Sequence, residues 1–99
     1  MFVTTIEFPP IDPQDEATFQ EWFTVSNEVY HKCDGFVSRR LLKRVKGGEL
    51  RYLTLVEHES EQTFMRMHTS PERRQAFDQL QPLLRGAGLK AQFFQVVAS

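Results

Sequence analysis

A ferredoxin-like α+β domain, with element order β-α-β-β-α-β and a four-stranded antiparallel sheet covered by helices on one face, is predicted by three observations. Each end of the chain carries a β-branched and aromatic stretch, Phe2 to Phe8 and Leu89 to Val97. The segment from Asp34 to Pro71 reads without interruption as helix stop, strand, glycine turn, strand and helix start. Helix openings fall on both sides of that hairpin, at Asp12-Pro13 and at Ser60 and Ser70-Pro71. Ninety-nine residues hold one modest core, so a single domain over 1–99 is expected.

In the first strand Phe2, Thr4, Ile6 and Phe8 share one side and Val3, Thr5 and Glu7 the other; Pro9 and Pro10 end it. Asp12 caps a helix beginning at Pro13, with Asp15 and Glu16 set against the positive end of its dipole. Phe19, Trp22, Phe23, Val29, Tyr30 and Cys33 recur on one helical face, and Val25 falls off it. Gly35 supplies the left-handed stop. Phe36 to Val45 follows as a strand, Gly47-Gly48 as the hairpin turn, and Leu50 to His58 as the returning strand. Ser60 caps a helix through Phe64, Met67 and His68. Ser70-Pro71 opens a second segment to about Leu84, with Ala76, Phe77, Leu80, Leu83 and Leu84 inward and a bend or early end at Pro82. Gly86 and Gly88 bracket the turn into the last strand.

Charge removes several classes of function. Twelve Lys and Arg stand against 13 Asp and Glu, for a net charge of −1, so no clustered positive surface is expected for nucleic acid. The densest basic run, Arg39, Arg40, Lys43, Arg44 and Lys46, reads as a solvated strand face. No apolar run reaches membrane-spanning length, and the N-terminal FVTTIEFPP lacks the basic and apolar regions of a signal peptide; the cytoplasm is the expected compartment. Cys33 is the sole cysteine, beside Asp34, whose charge raises a thiol pKa, so it reads as structural. The three histidines show no metal-ligand spacing, and no metal site is expected.

The strands place large apolar residues on both sheet faces, Phe36 with Val37 and Leu41 with Leu42 among them. An antiparallel sheet with one face in water alternates cleanly, so the second face needs a cover, and a homodimer through that sheet face is expected. The opening MFVT, the Phe- and Trp-containing helix, the Asp34-Gly35-Phe36-Val37 entry to the hairpin, and Glu57-His58-Glu59-Ser60 followed by Phe64 and by Ser70-Pro71 together resemble the antibiotic biosynthesis monooxygenase domain of the dimeric α+β barrel superfamily. The likeness covers nearly the whole chain. It implies an apolar cavity between helices and sheet in each subunit, where an electron-rich phenol or quinol meets oxygen without metal or flavin, so no cofactor is expected. Many members carry a His or Trp where this chain has Met67; His68 follows one residue later, about 100° around the helix, and is expected to face solvent. Haem-degrading relatives place an Asn, a Trp and an iron-ligating His where Glu7, Met67 and Phe77 stand here, and Phe77 cannot bind iron.

The first functional reading is therefore a cofactor-independent monooxygenase for a small aromatic or quinol-type substrate. Glu7 or His58 would accept a proton, Glu7 only if it faces the cavity and is desolvated. Asn27 or Tyr30 would orient the substrate, and Trp22, Phe64, Met67 and Phe77 would form dry walls. Each residue has a plainer role too: Phe64, Met67 and Phe77 are at core spacing, His31 suits a helix C-terminus, and His58 replaces a structural aromatic. Two alternatives stand beside this reading: a non-catalytic module that binds or signals through a small apolar ligand, and a haem-binding protein using His31, His58 or His68.

Overall fold

The computed structural model describes residues 1–99 as strand β1 (Phe2–Glu7), helix α1 (Glu16–His31), strands β2 (Phe36–Lys43) and β3 (Tyr52–His58), helices α2 (Glu61–His68), α3 (Pro71–Asp78) and α4 (Gln81–Leu84), and strand β4 (Lys90–Gln95). The sheet order is β2-β3-β1-β4 and every neighbouring pair is antiparallel. This is the order of the ferredoxin-like split motif, with the helices on one face. No helix is long and apolar enough to cross a membrane.

Local chemistry explains most boundaries. The Asp12 side chain accepts from the Gln14 backbone N–H at 3.0 Å and winds Pro13–Asp15 into a tight 3₁₀ turn, so α1 proper starts at Glu16 rather than at Pro13. Gly35, with φ +80°, ends the helical region and aims the chain into β2. Beyond Lys43 and before Tyr52 the hairpin keeps one further backbone bond, Arg44 N–H to the Arg51 carbonyl at 3.0 Å. The Arg44 guanidinium then donates to the Glu49 carbonyl at 2.6 Å, closing an open loop in place of a two-glycine turn. Ser60 and Thr63 form a reciprocal capping box on α2, and Ser70 caps α3. The second helical segment breaks at Gln79 and Leu80 and resumes as the single turn of α4, in which Pro82 lies.

The pairing of β2 with β3 is not uniform. Its register shifts between Phe36, opposite His58, and Ser38, opposite Glu57. Such a bulge re-aims the side chains beyond it. Arg39 consequently stands opposite Val56 and Leu41 opposite Thr54, on the helix-covered face.

The core under the helices is in two clusters. Phe8, Ile11, Phe19, Tyr52, Leu80 and Leu84 fill one end, and Phe2, Tyr30, Phe64 and Met67 the other. On the opposite face Val3, Leu53 and Leu55 are half-buried, while Leu42 and Phe94 are exposed; no helix covers them.

Candidate functional site

A small cavity lies where the two core clusters meet, between the sheet and helices α1 to α3. Its apolar walls are Trp22 and Tyr30 from α1, Phe64 and Met67 from α2, and Phe77 from α3. The Trp22 indole N–H donates to the Ala76 carbonyl at 2.7 Å, which fixes the ring and ties α1 to α3. The depression, mouth included, encloses about 400 Å³, yet its free interior is only about 20 Å³, room for about one water.

Arg39 joins this lining from β2. Its guanidinium carbon stands 4.0 Å from the centre of the Tyr30 ring, 4.2 Å from that of Phe23 and 5.5 Å from that of Trp22. Nη1 donates to Ser26 Oγ and Asn27 Oδ1, both at 2.8 Å, and lies 3.3 Å from the Phe23 carbonyl. All three acceptors belong to α1 and all are neutral. Burial pushes the Arg39 pKa down to about 10, with Tyr30 opposing the shift and nearby Arg73 adding to it. The group remains charged at neutral pH.

Two further cationic or ionisable groups line the same cavity, His68 from the end of α2 and Arg73 from α3. The His68 ring stacks on Phe64, with centroids 5.6 Å apart and planes 18° from parallel. Desolvation first, and then the Arg73 charge, lower its pKa from the usual 6.5, so it is neutral at pH 7 with a lone pair to offer. Arg73 lies over the Phe77 ring at 5.0 Å. No Asp or Glu lines the cavity.

The predicted wall residues Trp22, Tyr30, Phe64, Met67 and Phe77 thus share one cavity. Asn27 does not line it; its amide oxygen holds Arg39 instead. His58 is fully buried outside the lining, edge-on to Phe36 and Phe64, with Nδ1 3.2 Å from Thr63 Oγ1. Glu7 lies on the opposite face of the sheet, 48% exposed, with its carboxylate 3.6 Å from Arg51. It cannot reach the cavity. His31 is exposed with its ring against Phe36. Cys33 Sγ sits 3.3 Å from the Val29 carbonyl, and burial, Glu72 and Asp34 raise its pKa, in keeping with a structural thiol. Arg39 and His68 are corrections, since sequence reasoning places both in solvent, and it gives Arg73 no role. The bulge at Val37 conceals Arg39. For His68 the available signal is its i, i+4 spacing from Phe64, the ring it stacks on.

No protein-family model and no curated protein matches the sequence. Solved structures do match the fold. SnoaB, a cofactor-independent oxygenase from Streptomyces nogalater, superposes with a TM-score of 0.80 at 18% identity, over 99% of this chain and 95% of that one. A candidate antibiotic biosynthesis monooxygenase from Deinococcus radiodurans gives a TM-score of 0.84 at 13% identity, over 100% of this chain and 95% of that one. Rv0793 from Mycobacterium tuberculosis gives 0.74 at 17% identity, over 100% and 98%. The order β-α-β-β-α-β, the sheet β2-β3-β1-β4 and these superpositions together give the chain the α+β fold of the antibiotic biosynthesis monooxygenase-type proteins.

Proposed function

We propose that the cavity between α1, α2, α3 and the sheet binds a small aromatic or quinol-type molecule and that the protein promotes its direct oxygenation by O₂, without a cofactor. The observation that carries this reading is the placing of Trp22, Tyr30, Phe64, Met67 and Phe77 around one interior space that also contains a neutral histidine. The fold shared with a cofactor-independent oxygenase adds support. An electron-rich phenol becomes a good reductant of O₂ once it loses its proton, so the protein has to supply an acceptor and a dry, oriented site. For conversion of a phenol to a quinone, the substrate loses the O–H proton and one ring hydrogen. One oxygen atom of O₂ becomes the new carbonyl and the other leaves as water.

His68 takes the acceptor role in this reading, because it lines the cavity while Glu7 and His58 do not. Beside Arg39 and Arg73, the Tyr30 and Thr54 residues of the lining offer hydroxyls to orient the substrate. A homodimer through the uncovered sheet face belongs to the same proposal, supported by the apolar Leu42, Leu53, Leu55 and Phe94 there.

Oxygen uptake tests the reading. With a panel of naphthols and hydroquinones, at least one substrate should consume O₂ at a rate proportional to protein. In a folded His68→Gln variant kcat should fall by about 10²-fold or more, the usual weight of general base catalysis. Binding of the panel with no oxygen uptake by the native protein would leave a binding module in its place.

A further inference from the structure

We infer that the ligand of this cavity is an organic anion, a flat apolar body bearing a carboxylate or an equally acidic enol or phenol oxygen, and that Arg39 receives its negative group. The inference deepens the function proposed above, since it takes the same cavity as the ligand site, but it concerns binding alone and does not depend on turnover.

Buried charges in proteins are ordinarily paired, because desolvation costs several kcal/mol per ion unless an opposite charge offsets it. Arg39 is partly buried, its Nε and Nη2 are not shut off from solvent, and it has no such partner in the protein. No carboxylate lies within ion-pair distance of it, although the chain's other ion pairs use Arg40, Lys43, Arg51 and Arg85 on the surface. Its hydrogen bonds to protein all leave from Nη1, so Nε and Nη2 donate to no protein group. Those two nitrogens form one edge of the guanidinium fork, the edge that takes a carboxylate in two parallel bonds. Stacking on Tyr30 and Phe23 and the pull of Ser26 and Asn27 fix the plane of that fork from behind.

The surroundings add to the same polarity. Arg73 and His68 share the lining, and Arg73 is close enough to depress both Arg39 and His68. A protein of net charge −1 thus concentrates two arginines and a histidine on one interior space with no acid to balance them. Without a ligand the two arginines repel each other. With an organic oxyanion present they gain a partner, and the aromatic walls receive the apolar body. The unbranched Met67 and Arg73 side chains can change rotamer to open the tight interior for such a guest.

Isothermal titration of the native protein with four probes tests the inference: 2-naphthoate, 2,4-dinitro-1-naphtholate, the neutral 2-naphthamide and inorganic phosphate. The single Trp22 in the wall gives a fluorescence readout beside the heats. Naphthoate or the naphtholate should bind at least about tenfold more tightly than the amide, the discrimination of one charge-assisted pair; which of the two binds better tells carboxylate from phenolate. In Arg39→Gln that preference should fall to about onefold while amide affinity holds, and Arg39→Lys should restore part of it. The comparison of probes on native protein stands even if a variant fails to fold. Affinity for both aromatic anions no greater than that for naphthamide overturns the anionic ligand but leaves the apolar site. Tighter binding of phosphate than of either aromatic anion overturns the flat organic acid. No binding of any aromatic probe overturns the ligand site itself. Oxygen uptake without anion preference would separate the failure of this inference from that of the proposed activity.

Discussion

His58 shows how a single buried ring couples the strand to the helix that succeeds it. The hydroxyl hydrogen of Thr63 is spent on the Ser60 carbonyl at 3.0 Å, so at 3.2 Å its oxygen accepts from His58 Nδ1–H. That assigns the tautomer and leaves Nε2 as a bare lone pair with no partner in a fully buried position. Protonation would create a buried N–H⁺ with nothing to bond. Desolvation accordingly pulls the His58 pKa below 6.5 against the opposing charge of Glu59, and desolvation and Arg73 do the same to His68. As pH falls below about 6.5 the unfolded chain takes up protons that the folded one refuses, so acid destabilises the native state. Urea midpoints should drop between pH 7.5 and 5.5, with a slope of at most about 1.4 kcal/mol per pH unit for each histidine. The double variant His58→Gln, His68→Gln should flatten that part of the curve, and an unchanged slope would show that other groups set it.

At the scale of elements, the junction of α1, β2 and α2 is held by Gly35 and Thr63. A Cβ on Gly35 would come within 2.5 Å of the Thr63 Cβ and Oγ1, and φ there is +80°. Gly35→Ala therefore combines a left-handed backbone penalty with a clash against the residue that completes the α2 capping box. A loss of about 2–4 kcal/mol is expected from these two effects together, measurable by urea unfolding. Because α2 carries Phe64, Met67 and His68, the same variant should also shift Trp22 emission. The elements themselves are legible in the sequence, because caps such as Asp12, Ser60 and Ser70, the stop at Gly35 and the break near Pro82 act through bonds between near neighbours. Five wall residues are legible for a similar reason, helical spacing on three adjacent segments. Arg39 is not, since a β-bulge depends on cross-strand pairing between Phe36 and His58 and leaves a run of five basic residues looking uniformly solvated. Glu7 illustrates the converse, because period-two alternation places it correctly with Val3 and Thr5, and only the helices decide which of the two faces is inside.

At the scale of the whole molecule, the helices cover one side of the sheet and leave the other with Leu42 at 42% and Phe94 at 48% exposure beside the half-buried Val3, Leu53 and Leu55. These residues come from all four strands, and the Arg40 and Glu57 pair, at 4.0 Å, stands among them, Arg40 opposite Leu55 and Glu57 opposite Val3. Sheet faces of this kind pack at about 10 Å against another sheet, and a two-fold axis lets one chain supply both layers. The small size of the domain gives the association added weight, since a 99-residue chain buries a modest fraction of its surface alone. Sedimentation velocity should report a dimer at micromolar concentration, and the urea midpoint should rise with protein concentration as mass action requires. Leu55→Lys places an unpaired ammonium at the centre of the surface and should weaken association by about 100-fold or more, while Val25→Lys, on the exposed side of α1, should leave it unchanged. A monomer across the concentration range, with Leu55→Lys indistinguishable from the native chain, would assign this face to a different partner.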